Sequence, residues 1–156
     1  MLKPFLKFAL IVILAQILTY YFAGIIAQTV LGANEFYPPS NNAISYLKDP
    51  HTIPPLLILG AQVLRGLLFA AVLFPFRQRI LSLGIWAGGF AFTAIILVMG
   101  YLAASGGMLE HFVFFKPEQY PVKFAVITLV EILIQTLVMG PAVVAVEKRF
   151  NPIVPV

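Results

Sequence analysis

Two charged side chains, Arg65 and Glu131, stand in the middle of stretches that are otherwise almost wholly apolar. Both sit at the centre of the same proline spacing: Pro55, Arg65 and Pro75 in one stretch, Pro121, Glu131 and Pro141 in the other. If both stretches cross a bilayer in one direction, the two charges fall at nearly the same depth. A charge there costs roughly 2.5 kcal/mol or more, so it normally has a partner or a task.

Other polar residues recur at helical spacing around these two. Gln62 and Arg65 are three apart and share a helix face, as do Thr128, Glu131 and Gln135, spaced three and four. Gln16, followed by Thr19 and Tyr20, and Thr93 fall at comparable positions in two further apolar stretches. Polar groups in hydrocarbon must be satisfied inside the protein, so these faces are expected to point at one another. Two readings follow. In the first, Arg65 and Glu131 form an ion pair, buttressed by Gln62 and Gln135, that sets the order of the helices. In the second, Arg65, Glu131, Gln62, Gln135 and Gln16 line a cavity. Arg65 then holds an anionic head, a carboxylate or a quinone-like oxygen, and Glu131 carries a proton or a cation.

A second candidate is the adjacent pair Glu110 and His111, at the proposed outer mouth. A histidine beside a carboxylate can exchange protons near neutral pH, but neighbours in sequence do not face the same way on a helix. An outer loop also needs polar groups for solvation alone.

The elements that must position these residues are long apolar helices. The 156-residue chain is 61% hydrophobic and 10% charged, against about 25% charged in soluble domains. A soluble fold of this size could not bury so much apolar surface. Four stretches, near 5–31, 54–76, 82–108 and 122–146, are long enough to cross a bilayer core, which takes about 20 helical residues. The expected fold is therefore an all-α integral membrane protein, a four-transmembrane-helix bundle forming one domain over 1–156. The first apolar run exceeds the roughly 7–15 residues of a signal-peptide core and is read as a retained span. Lys3, Lys7, Arg77, Arg79, Lys148 and Arg149 fall on one side, and Lys48, Lys116 and Lys123 on the other. That asymmetry places both termini in the cytoplasm and the connections 32–53 and 109–121 outside.

The short turn at 77–81 predicts that the second and third spans are antiparallel neighbours. The 32–53 connection is long enough to be functional. Ser40 is a suitable N-cap for a short interfacial helix carrying Ala43, Ile44, Tyr46 and Leu47, and Tyr20, Tyr21, Phe36, Tyr37, Tyr46 and Tyr120 are placed to form an aromatic belt. The matched proline spacing suggests that 1–76 and 77–149 are two parallel hairpin repeats, whose opposite charges would meet across a pseudo-two-fold axis. Gly84 and Gly88 form a small-xxx-small pair expected to make a packing seam. Ser105, Gly106 and Gly107 are expected to end the third span.

Several chemistries are excluded or disfavoured. Without cysteine there is no disulfide, thiolate metal site or thiol nucleophile. The two histidines, His51 and His111, are far apart, and no phosphate loop, nucleotide fingerprint or metal-ligand spacing is present. No cofactor is expected. The basic residues flank apolar segments without forming a run, which suits a lipid bilayer as partner and not nucleic acid.

The segments Gln62-Val63-Leu64-Arg65-Gly66 through Phe74-Pro75-Phe76-Arg77, Gly107-Met108-Leu109-Glu110, and Glu131 through Gln135-Thr136 resemble a Q-x-x-R-G, G-x-x-E, E-x-x-x-Q-T pattern. That pattern belongs to a type of four-span bacterial membrane protein of unassigned activity. The resemblance covers roughly residues 56–140. It implies four spans, a bacterial inner (cytoplasmic) membrane location and weight on Arg65, Glu110, Glu131 and Gln135, but no reaction. His111 stands where the pattern leads one to expect glycine, and Ser105-Gly106-Gly107 replaces a proline-containing turn.

Three functions compete on this basis. The leading one is binding or transport of a small ligand or proton at Arg65 and Glu131, with a homo-oligomer as an expected assembly. The second is an accessory subunit of a larger membrane complex. The third is an intramembrane enzyme acting on a lipid or isoprenoid, for which no catalytic spacing speaks.

Overall fold

A computed structural model describes residues 2–44, 47–98 and 121–150. Among the described residues all regular structure is helical: α1 is Leu2–Thr29, α2 Pro55–Leu73, α3 Arg77–Ser82, α4 Ile85–Leu97 and α5 Val122–Phe150. Short 3-10 turns lie at Ala33–Phe36, Pro50–Thr52 and Phe74–Phe76. Three helical segments, Leu2–Thr29, Pro55–Ser82 and Val122–Phe150, are long and apolar enough to cross a membrane, and Ile85–Leu97 is a shorter apolar helix. This suggests a membrane protein. The remainder of the predicted third span, together with Glu110, His111 and the 105–107 turn, lies outside the described residues.

The helices are inverted with respect to a water-soluble bundle. On α1, Leu6, Leu10, Leu14 and Leu18 form an exposed stripe, while Phe8, Val12, Gln16, Thr19, Ala23 and Ala27 form the buried one. A helix that turns leucine outward and glutamine inward is at home where the surroundings are hydrocarbon, because its apolar side chains need no shelter and its polar ones do.

Packing follows from where small residues permit it. Helix α1 lies against both α2 and α5, and α4 lies against α5. Where α1 meets α2, a Cβ on Gly66 would stand 2.8 Å from the Cα of Ile13. Where α4 meets α5, a Cβ on Gly89 would stand 2.7 Å from Pro141, and one on Gly140 would stand 2.6 Å from the Thr93 hydroxyl. Absent side chains at these points let the backbones approach. The seam on α4 is thus made by Gly88 and Gly89. Gly84 precedes the helix at φ 88°, a left-handed conformation that glycine adopts readily, and it turns the chain between α3 and α4.

Several expectations are corrected. Helices α2 and α4 make little contact among the described residues despite the short link between them. The two evenly spaced prolines have different settings: Pro75 sits in a 3-10 turn, whereas Pro141 lies inside an uninterrupted α5 and packs on Gly89. Of the interfacial helix expected after Ser40, Ala43, Ile44 and Leu47 are not helical, and Tyr46 lies outside the described residues. Ser40 closes a local turn instead. Its hydroxyl accepts from the Asn42 amide at 3.3 Å, and the Ile44 amide donates to the Phe36 carbonyl at 2.9 Å. Phe36 is buried with Ala27, Ala33, Ile44, Phe124 and Ile127, so it belongs to a core and not to a surface belt.

That core is one of two. The other gathers Phe8, Val12, Leu73, Ile80, Phe92, Met139 and Val143 at the opposite end. Gln16, Gln62, Thr93, Gln135 and Thr136 are buried as well.

Candidate functional site

The buried polar residues come from all four major helices. On α2, Gln62, Gly66, Ala70 and Leu73 form the buried stripe. Gly66 brings α1 so close that its own Cβ would lie 3.4 Å from the Gln16 side chain. One turn earlier, Gln62 meets Gln16: the Gln16 Nε2 donates to the Gln62 Oε1 at 2.9 Å. Between α4 and α5 the Thr93 hydroxyl donates to the Thr136 carbonyl at 2.6 Å. Most other hydroxyls are satisfied within their own helix. Thr19 donates to the Ala15 carbonyl at 2.7 Å, Thr128 to that of Phe124 at 2.9 Å, and Thr136 to that of Ile132 at 2.8 Å.

One group is left over among the described residues. The Gln16 side chain is 0% exposed, yet its Oε1 has no hydrogen-bond partner. Gln16 and Gln135 line one cavity of about 170 Å³, together with Arg65, Phe69, Ile96, Ile132 and Thr136. Every one of the four major helices contributes a wall. Arg65 sits one residue before Gly66, at the edge of α2, and is exposed beside Leu64 and Leu68. The cavity therefore offers guanidinium donors at its rim and an unused amide acceptor inside. Its described lining contains no carboxylate.

Glu131 lies elsewhere. It lines a second cavity of about 260 Å³ with Tyr20, Tyr21, Gly24, Gln28, Tyr37 and Ile58 among others. A Cβ on Gly24 would meet its Oε1 at 3.8 Å. Gly24 follows Gln16 by two helical turns, about 12 Å along α1. The described lining of this cavity contains no lysine or arginine. Arg65 and Glu131 remain near enough to act on one another through space, but they form no ion pair. The ion-paired arrangement, one of the two readings of the sequence, is not the one seen, and Glu131 does not line the Arg65 cavity. Helix α1 packs between α2 and α5 and gives each charge its own chamber.

The chain does contain a closed arginine–glutamate pair that the sequence reading left unnoticed. Arg77, through Nε and a terminal guanidinium nitrogen, grips the Glu147 Oε1, with the side chains 16% and 0% exposed. Glu147 continues the stripe Gln135, Met139, Val143 at four-residue intervals, and that period was the available signal. In the sequence Arg77 reads as part of the charge asymmetry and of the Phe74–Arg77 motif, and the last apolar stretch, near 122–146, stops one residue short of Glu147.

A third cavity, about 370 Å³, lies in the loop region and is lined by Gln28, Asn34, Tyr37, Pro38, Pro39, Ser40 and His51. The loop turn is held to α5 by a Lys123–Glu35 ion pair, by the Lys123 ammonium 5.9 Å from the Phe36 ring centre, and by the Phe36 and Tyr37 rings at 5.2 and 6.3 Å from that of Phe124.

No family model, curated protein or solved structure matches the chain. The functional reading therefore rests on this geometry.

Proposed function

We propose that this is a small four-span membrane protein that binds, and moves across the bilayer, a small ligand bearing an acidic group. The single observation behind the reading is the buried, unpartnered Gln16 Oε1 in a cavity rimmed by Arg65. A buried acceptor left without a donor costs about 1–3 kcal/mol. A ligand that presents both a donor and an anionic oxygen, such as a hydroxycarboxylate or a singly protonated phosphate monoester, satisfies Gln16 and Arg65 together. Gln135 and Thr136 stand in the same wall. Glu131, in its own chamber, is the proton-exchanging group of this scheme. In the accompanying topology both termini face the cytoplasm of a bacterial cell and the 32–53 loop faces outward, as the basic residues direct.

Native mass spectrometry of the protein released gently from its own membrane tests the reading. The expected result is an acidic small-molecule adduct that Arg65→Ala loses and Arg65→Lys weakens, with the melting temperature of each variant near that of the parent. A stoichiometric protein partner in place of an adduct, or an Arg65→Ala chain that fails to fold, would favour the accessory-subunit reading instead. The enzyme reading takes Glu110, His111 or Glu131 as acid–base groups, and the first two lie outside the described residues.

A further inference from the structure

The loop cavity and the Glu131 cavity share two wall residues, Gln28 and Tyr37. One opens among exposed polar groups, Asn34 and His51, and the other ends on the half-buried carboxylate of Glu131. We infer that the two chambers form one water-filled route from the loop side to Glu131, with Gln28 and Tyr37 at the neck, and that the route delivers protons to that carboxylate and removes them. This inference rests on the reading of Glu131 as the proton-exchanging group and adds where its protons come from.

Three observations carry it. First, polar side chains recur from one chamber to the other along walls that also carry apolar residues such as Ile25, Ala27, Ala33 and Ile58. Ser40, Asn34 and His51 at the wide end give way to Gln28 and Tyr37, then to Tyr20 and Tyr21 beside Glu131. Hydroxyl and amide groups at such intervals can hold a chain of waters, each of which needs two to four polar partners. Second, the charge pattern selects. The route ends on a carboxylate, with no lysine or arginine in the described lining of either chamber, so it suits a cationic species and repels the acidic ligand assigned to the Arg65 cavity. Third, the neck is built. Tyr37 follows a turn clamped to α5 by Lys123–Glu35 and by ring packing on Phe124. The titratable and charged groups around Glu131 are Tyr20 and Tyr21 of α1 and Tyr37 of the loop, which line the same chamber, and Arg65 of α2, which acts through space. The step is a simple exchange: a hydronium at the head of the water chain loses a proton, water reorganises, and a carboxylate oxygen of Glu131 gains one. The reverse sequence discharges it.

The absence of cysteine makes the natural chain a ready background for thiol labelling. Gly24→Cys places a thiol in the inner chamber while keeping Glu131, since a Cβ there meets only ordinary van der Waals contact. Glu131→Cys places one at the end of the route. A charged, membrane-impermeant methanethiosulfonate added from the loop side is expected to label both at least ~10-fold faster than Leu64→Cys on the outer face of α2. Adding Gln28→Trp at the neck is expected to slow that labelling by ~10-fold, and Glu131→Gln to abolish proton uptake into phosphatidylcholine–phosphatidylglycerol vesicles. Labelling of Gly24→Cys by lipid-soluble N-ethylmaleimide alone, or by the charged reagent only from the opposite side, would overturn the route. Full labelling with unchanged proton uptake in Glu131→Gln would overturn the proton assignment. If the route is labelled and Glu131→Gln blocks uptake while no acidic adduct is found, the route stands and the acidic-ligand reading falls.

Discussion

Two arginine–glutamate couples in this molecule are arranged in opposite ways. Arg77 and Glu147 are in direct contact, with the carboxylate fully enclosed. Arg65 and Glu131 are held apart, each lining its own cavity, on either side of contacts made by α1. The chemistry of the side chains is the same, so the difference lies in what the backbone allows. Arg77 starts α3 directly after the Phe74–Phe76 turn, which swings it onto the last turns of α5. Arg65 is fixed at the edge of α2 by its neighbour Gly66, whose close approach to Ile13 fills the bundle interior with α1. A closed buried pair satisfies itself and leaves nothing for a ligand. An open one leaves donors and acceptors to be satisfied from outside, which is what a binding site requires.

The largest effect is expected at the closed pair. Arg77→Ala strips the partner from an enclosed carboxylate and should cost about 3–5 kcal/mol, read as a large loss of melting temperature in detergent. Arg65→Ala, at an exposed edge, should cost under about 1 kcal/mol in the same assay. Similar losses at the two arginines would erase the distinction drawn above. Next in size is the glycine seam. Gly89→Leu drives a side chain into Pro141 and should cost about 1–3 kcal/mol, in line with overpacked cores, with α4 released from α5 as judged by cross-linking across that contact.

A smaller and more discriminating effect concerns Gln16. Gln16→Leu removes the orphan acceptor and also the donor to Gln62. Stability should change by no more than about 1 kcal/mol, while retention of the acidic adduct should fall by ~10-fold or more, as expected when one good hydrogen bond to a charged ligand is lost. Loss of stability with the adduct retained would make Gln16 a structural residue. The smallest effect is expected at Lys123–Glu35, where the side chains are 63% and 35% exposed. Lys123→Ala should cost at most about 1 kcal/mol and less in high salt. A salt-insensitive loss would show that the cation–ring contact with Phe36, and not the ion pair, holds the loop.

Much of this was legible in the residues. Long apolar runs announced four spans, of which three are helices of membrane-spanning length and the third in order is a shorter apolar helix among the described residues, and helical spacing put Gln16, Gln62, Thr93 and Gln135 on inward faces. Their burial follows from the need of polar groups to find partners away from hydrocarbon. The pairing was not legible. Equal spacing from flanking prolines suggested that Arg65 and Glu131 meet, but proline does different things at each place: Pro75 shapes a turn, and Pro141 is a packing surface for Gly89. Depth along a helix is one coordinate, and rotation about its axis and the order of helices in the bundle are others. Which helix lies between two charges depends on close approaches such as Gly66 with Ile13, and a one-dimensional pattern does not encode them. Glu147 was missed for a simpler reason, since its four-residue register with Gln135 runs past the point where the apolar stretch thins out.

Double-mutant cycles at the two couples test the central distinction most directly. Each arginine and each glutamate is replaced singly and together by isosteric neutral residues (methionine and glutamine), and the unfolding free energy is measured in the same lipid. The account predicts a coupling of about 2–3 kcal/mol between Arg77 and Glu147, and under about 0.5 kcal/mol between Arg65 and Glu131. Equal couplings at the two sites would contradict it, for Arg65 and Glu131 would then be a second structural clasp and the two cavities would not be a binding site.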